Sequence, residues 1–390
     1  MINVMLRSLL LPLLAVVIHA TGSVAFVIAT PTPQNAVQCS FQILPKHNSR
    51  LNSARNGAEN EGMKFHVAPM QCYTNRHLRY LLRQLSRKAV LWTEMEKVET
   101  YRTTAGTDDD ETHAWLERAV RHHPIEDPLV LQLGGNDPES LSRATEYASS
   151  VRRTGGGGAF CGINLNCGCP SVESGGADYG ATLMRDGRST RHLLEAMKMK
   201  AGLHLPVSVK CRIGIVENYG AHSDETTQEF PEASYEPLAE WVHEITKTGA
   251  VDGGLVVHAR TAVLSGLSPV KNRHVPPLRY DLVERLADDF PGLDICLNGG
   301  VAGVQHARTL AQGLAGNLDS EPMKGKFDGI MLGRSVLERP LDLFLIDSDP
   351  LFRFHSGRNS NEHSDNDGGG LSLGLRATSV ESAIANYCDY

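Results

Sequence analysis

PLVLQLGGNDPESLSRATEYASSVRRTGGGGAFCGINLNCGCP, residues 128–170, holds one full repeat of the fold. It opens on an apolar run, PLVLQLG (128–134), of strand length. Asp137-Pro138 then gives a helix-start signal, with Pro in the first turn. PESLSRATEYASSV carries helical periodicity, and a second strand-like run follows at GINLNCG (162–168). Strand, helix and strand in this order predict a parallel pair joined by a crossover.

The same alternation extends in both directions. Strand-like runs occur at FHVAPM (65–70) and AVLWTEM (89–95) before it. VSVKCRI (207–213), GGLVVHAR (253–260), DICLNGG (294–300) and FDGIMLGR (327–334) come after it. Helical stretches such as RHLRYLLRQL, RHLLEAMKMKAG and YDLVERLADDF lie between them. Eight strand–helix repeats over about 270 residues predict an α/β fold, the (β/α)8 TIM barrel. A doubly wound sheet is the alternative. The lack of a GxGxxG turn favours closure into a barrel.

Chemistry in such barrels sits at the C-terminal ends of the strands. Those ends carry Pro69-Met70, Thr93 to Met95, Gln132, Asn166 to Cys169, Lys210, Arg212, His258, Arg260, Asn298 to Gly300 and Gly333-Arg334. Strands used only for packing would end in apolar or turn residues, so polar ends on nearly all of them predict one shared site. Asn298-Gly299-Gly300 and Gly333-Arg334 occupy the usual barrel phosphate position, where glycines let backbone N–H groups approach an anion. Arg334 can add a charge-assisted contact. Lys210 closes an apolar strand and needs an anionic partner if buried. An anionic flavin ring would suit it, with Gln132 at the ring's amide edge. His258 alone reads as a buried core histidine; with Arg260 two residues on, the pair faces a ligand.

Cys161, Cys167 and Cys169 crowd one segment, and metal site, disulfide and single working thiol are the candidate readings. No CxxC pair occurs among the eight cysteines, which argues against a zinc ribbon. A bridge between 167 and 169 across one glycine would be strained. Cys167 shares a strand face with Ile163 and Leu165 and reads as a small buried hydrophobe.

The 390 residues allow one large domain with an appendage, and the net charge of −7 argues against a generic nucleic-acid coat. Residues 1–25 look like a signal peptide: Arg7, an apolar run from Leu9 to Ile18, then Ser23-Val24-Ala25. Residues 26–60 resemble a transit peptide, with no Asp or Glu from Val27 to Gly57 among Lys46, Arg50 and Arg55. Together they resemble the bipartite plastid presequence of algae with complex plastids, disordered in the precursor. A secretory signal plus linker is the plainer alternative, and mitochondrion or cytoplasm the alternative destinations. No stable membrane association of the mature chain is expected. HSGRNSNEHSDNDGGG (355–370) reads as a disordered spacer, set within 346–375. Arg76, Arg79 and Arg83 repeat on one helix face, either for RNA or as a solvated row.

Seven blocks match a family in order and spacing: FHVAPMQCYTNRHLRYLLRQLS, LVLQLGGNDPESL, INLNCGCPS, VSVKCRIG, HARTAVLSGLSP, LNGGV and GIMLGR. They resemble the tRNA-dihydrouridine synthases over residues 63 to 345, and SGLSPVKNRHVPPLRY (265–280) resembles the Dus A subfamily. The resemblance implies an oxidoreductase with its barrel at 61–345. It implies FMN held by Ala68, Pro69, Met70, Gln132, Lys210, His258, Asn298, Gly299, Gly300, Gly333 and Arg334. NADPH is then the electron donor and tRNA the substrate and partner, reduced in the D-loop at positions 20/20a. The general acid is Cys169, with Asn166, Arg260 and Arg273 toward the substrate; no metal is needed, and a monomer is expected. A position that is basic in the subfamily is Val270 here. SVESAIANYCDY, within 376–390, resembles only the beginning of the family's C-terminal helical tRNA-binding domain, a truncated appendage. The rival readings are another FMN barrel acting on a small molecule, Old Yellow Enzyme-like or dihydroorotate dehydrogenase-like, and a non-catalytic tRNA-binding relative.

Overall fold

The computed structural model describes residues 18–20, 23–25, 62–98, 122–151, 160–170, 179–219, 230, 233–312, 327–355 and 380–388. The chain divides into two compact units, Met1–Glu59 and Asn60–Tyr390. In the first, Ile18–Ala20 pairs antiparallel with Ser23–Ala25. The rest of the two presequence segments, residues 356–375 of the predicted spacer and residues 376–379 of the predicted appendage lie outside the described residues.

The second unit is built on eight parallel strands: β1 (Lys64–Val67), β2 (Leu91–Lys97), β3 (Leu129–Gly134), β4 (Gly162–Cys167), β5 (Val207–Arg212), β6 (Leu255–His258), β7 (Ile295–Asn298) and β8 (Gly329–Leu332). Their order in the sheet is β1-β8-β7-β6-β5-β4-β3-β2, so each strand lies beside its neighbours in the chain. The two edges meet through a single parallel bridge between His66 and Val90. There Val67 donates its N–H to Val90 O at 3.0 Å, and Val90 donates to Phe65 O at 2.8 Å. The ring is thereby closed, and the predicted (β/α)8 architecture holds.

Strand alternation sorts the side chains. Ile163, Leu165 and Cys167 of β4, and Val207, Val209 and Cys211 of β5, join the large core shared with the surrounding helices. Cys167 is fully buried there, as its alternation predicts. The opposite faces fill the ring itself, where Ala68, Val90, Trp92, Val130, Val256, Cys296 and Met331 form a separate apolar cluster.

Helices α1 (Arg76–Leu85), α2 (Pro138–Val151), α3 (Gly187–Ala201), α4 (Tyr235–Thr246), α5 (Tyr280–Asp289) and α6 (Val304–Ala311) lie between strands, followed by α7 (Ser335–Glu338), α8 (Phe344–Ser348) and α9 (Val380–Cys388). Asn75 caps α1, its side chain accepting from the N–H groups of His77 and Leu78. No helix among the described residues is long and apolar enough to cross a membrane.

Three details depart from the sequence reading. The barrel continues past 345: Ile346 and Phe352 are core residues, and the Phe352 ring meets Phe65 edge-on at 5.3 Å. A short parallel ribbon, Ile215–Asn218 with Ala262–Ser265, extends above β5 and β6 and was not expected. The arginine row on α1 is mostly internal. Arg76 is exposed, but Arg79 and Arg83 are buried. Arg79 Nε lies 2.6 Å from Glu126 Oε2. Arg83 donates to the carbonyls of Ser86 at 2.8 Å and Glu126 at 3.0 Å. These two arginines therefore brace the helix against the turn before β3. Glu126→Ala would leave the Arg79 charge buried and alone. It is expected to cost about 3–5 kcal/mol of stability, read as a lowered urea midpoint.

Candidate active site

The first strand end is rigidly turned. Ala68 donates its N–H to Leu332 O at 2.7 Å, joining β1 to β8. The N–H of Met70 donates to Thr74 Oγ1 at 3.0 Å, and the N–H groups of Tyr73 and Thr74 return to Met70 O. Ala68 to Met70 thus present a fixed backbone at the mouth.

Inside the ring, polar side chains of β3, β4 and β5 form one relay. Asn164 donates from Nδ2 to Ser208 Oγ at 2.9 Å and accepts at Oδ1 from Gln132 Nε2 at 2.9 Å. Gln132 accepts at Oε1 from Asn166 Nδ2, also at 2.9 Å. Asn166 Oδ1 then accepts the N–H groups of both Gly168 and Cys169, each at 3.0 Å. The relay therefore runs from the barrel interior to the backbone of the proposed acid. Cys169 is pinned from the other side as well, since Ala181 donates its N–H to Cys169 O at 2.9 Å. Gly180 permits that approach: its φ is +73°, and a Cβ there would stand 2.7 Å from Cys169 O. Cys169 is half-buried, and it and the other described cysteines are free thiols.

The opposite arc of the mouth is cationic. Lys210 projects inward from β5, and burial, reinforced by Arg212, pushes its pKa down to about 8. Burial together with Arg212, Lys210, Arg260 and Arg273 holds the His258 imidazole well below its ordinary range, so it is neutral at pH 7. Burial and then Arg334 lower Arg273, which sits on an exposed turn. Burial is also the main cause for Arg260, with Arg334 adding to it. Among the described residues, no carboxylate is a leading influence on Lys210, His258, Arg260 or Arg273. Such a cluster suits an anionic ligand.

The glycine turn after β7 completes this arc. Gly299 and Gly300 have φ of +105° and +67°. A Cβ on Gly299 would come within 2.4 Å of His258 Cδ2, so glycine is required for the turn to lie against the imidazole. Tyr280 donates its hydroxyl to Gly299 O at 2.6 Å. Asn298 is buried and donates from Nδ2 to Met331 O at 2.9 Å, tying β7 to β8. Gly333 and Arg334 follow β8, and Arg334 Nη1 lies 2.9 Å from His274 Nε2. Arg260 Nη1 donates to the carbonyls of His274 and Pro276, so loop 266–276 is held between these two arginines.

All the predicted site residues thus lie at strand ends or in the loops beside them. Four participants had no assigned role: Asn164, Ser208, Arg212 and Asn272. The first two could have been found by alternation alone, since 164 and 166, and 208, 210 and 212, share inward faces. Among the described residues no group of three or more His, Cys, Asp or Glu side chains could hold a metal ion.

A closed parallel barrel whose mouth sets an anchored thiol beside a cationic, glycine-lined arc is an enzyme architecture, with anion recognition built into it. The family described as dihydrouridine synthase (Dus) matches residues 66–347, and the chain belongs to that family. The tRNA-dihydrouridine(20/20a) synthase of Xanthomonas axonopodis pv. citri is 36% identical over 286 residues, covering 73% of this chain and 71% of that protein. Those of Pseudomonas syringae pv. tomato and Escherichia coli K12 are 37% and 34% identical, each over 73% of this chain and over 70% and 68% of theirs. Among solved structures, morphinone reductase with tetrahydroNAD overlaps at a TM-score of 0.41 and 11% identity, over 73% of this chain and 87% of that one. That likeness is too loose to bear on function.

Proposed function

We propose that this chain is an FMN-dependent tRNA-dihydrouridine synthase that spends NADPH to reduce D-loop uridines, at the 20/20a positions that its relatives' names carry. The observation behind the reading is the pairing of a backbone-anchored Cys169 with the cationic arc of Lys210, His258 and the 298–300 turn.

The residues present fit the cofactor. Ala68 to Met70, Gln132, Lys210 and neutral His258 would hold the flavin ring, while Asn298 to Gly300, Gly333 and Arg334 would take its phosphate. Bound and reduced, FMN supplies a hydride to C6 of uracil. Everything else falls to this chain. Cys169 holds a proton on its sulfur for C5; the S–H bond breaks as the C5–H bond forms, and solvent reprotonates the thiolate. Asn166 fixes the Cys169 turn through its Oδ1 and gives one amide hydrogen to Gln132, which leaves the second for the uracil edge. Arg260 and Arg273 face the RNA. The base must leave its stack, at a cost of roughly a few kcal/mol, which contacts along the RNA must offset. We place the mature enzyme in the plastid, on the pattern of residues 1–60.

The test is to incubate the full chain with FMN, NADPH and unmodified tRNA transcript, then map dihydrouridine. D-loop dihydrouridine is expected. NADPH oxidation through flavin with no dihydrouridine in the RNA would replace this reading with a small-molecule reductase.

A further inference from the structure

Arg212 is the last inward-facing residue of β5, one step beyond Lys210, and is only 3% exposed. Among the described residues no carboxylate pairs with it, and the guanidinium donates to backbone carbonyls instead. Nε donates to Gly168 O at 3.1 Å, and Nη1 donates to Thr261 O and Asn272 O, each at 3.3 Å. Burying a cation this way is costly, and burial pushes its pKa down to about 10.

The three carbonyls come from three separate parts of the mouth. Gly168 immediately precedes Cys169 in the turn that Asn166 caps. Thr261 leads from β6 into the ribbon strand Ala262–Ser265. Asn272 is the buried anchor of the loop that carries Arg273. Its Oδ1 accepts from Val263 N–H at 2.8 Å, and its Nδ2 donates to Val263 O at 2.9 Å and Leu267 O at 3.3 Å. One side chain therefore touches the acid's turn and the frame of the RNA-facing loop together. A planar fork of fixed donors suits that task; a flexible ammonium suits it less well.

We propose that Arg212 is a positioning residue that couples the Cys169 turn to loop 266–274, so that RNA seated at Arg273 and the proton donor keep one register. This rests on the reading of Cys169 as the acid and of Arg273 as an RNA contact. Arg212 touches neither flavin nor base in this account. It acts through the two segments it joins.

The test compares wild type, Arg212→Gln and Arg212→Lys as full chains. First, amide hydrogen exchange is measured on peptides covering 166–170 and 266–274. Both are expected to lose protection together in Arg212→Gln, by about tenfold, with partial recovery in Arg212→Lys. Second, the two half-reactions are separated. The tRNA-driven reoxidation of the flavin should fall at least tenfold further than its reduction by NADPH. Third, Arg273→Ala is added to each background. Its effect on the KM for tRNA should be smaller in Arg212→Gln than in wild type, because coupled residues do not act independently.

Unchanged exchange at both segments in a folded Arg212→Gln overturns the proposal. So do an equal fall in both half-reactions and strictly multiplicative effects with Arg273→Ala. If Arg212→Gln does not fold, Arg212→Lys carries the same comparisons, with the same outcomes overturning it. A wild type whose reduced flavin is not reoxidised by tRNA at all would sink the functional reading first, and this proposal with it.

Discussion

Cys169→Ala is expected to abolish dihydrouridine formation while leaving flavin binding and NADPH oxidation in place. Proton transfer by a positioned side chain is worth about 10²–10⁴-fold, and the neighbouring thiol, Cys167, is fully buried in the core. The backbone that holds the turn would survive the change. Asn166 accepts from the Cys169 N–H, and Ala181 donates to its carbonyl; neither bond needs the sulfur. The thermal midpoint should therefore move little. Dihydrouridine yield on tRNA transcript, beside flavin absorbance and NADPH consumption, reads all three effects. A variant that still modifies tRNA within tenfold of wild type would assign the acid to another group.

Lys210→Met carries the second large effect, on the cofactor. A hydrogen bond from a charged ammonium to the N1/O2 edge of the flavin is worth about 1.5–3 kcal/mol, so FMN affinity should fall about 10- to 150-fold. The sign of the pH dependence follows from burial. The ammonium has a folded-state pKa of about 8, below the unfolded reference of roughly 10.4. The unfolded chain thus binds more protons between those values. The cost of the buried cation is full below pH 8 and lifts as pH rises through the window. Ligand binding runs the other way, because only the charged form attracts the flavin. FMN affinity of wild type should fall as pH passes about 8, and that of Lys210→Met should be flat there. Fluorescence titration with FMN at pH 7 and 9.5 checks this; equal affinities for the two proteins would remove Lys210 from the cofactor site.

How far the sequence reveals the site depends on the range of the interactions. The eight strands are local: each is a short apolar run closed by polar or glycine residues, and each appears where the pattern predicts. The double glycine at 299 and 300 is also local, since the positive φ values belong to the turn itself. Long-range partners are hidden. Arg79 and Arg83 sit on a face that reads as solvated or RNA-binding until Glu126, distant in the chain, meets them. Asn166 reads as a substrate contact from its place in the sequence; its further work, holding Gln132 and the Cys169 N–H, depends on partners the sequence does not place. The Ile215–Asn218 ribbon was missed because two of its four residues are exposed and its partner lies beyond another helix. Phe352 stands just before the polar run that starts at His355, yet its contact with Phe65 places it in the core.

The closure of the ring is uneven, and this has a mechanical meaning. β4 and β5 share five registered residue pairs, whereas β1 and β2 meet at one bridge, and β2 is irregular between Trp92 and Met95. A hoop with one slender joint takes up changes of girth at that joint. Swelling or twisting forced on the barrel by a bulky polymer would be absorbed between β1 and β2. The stiff quadrant, where Cys169 follows β4 and Lys210 stands on β5, would keep its spacing while the far side yields.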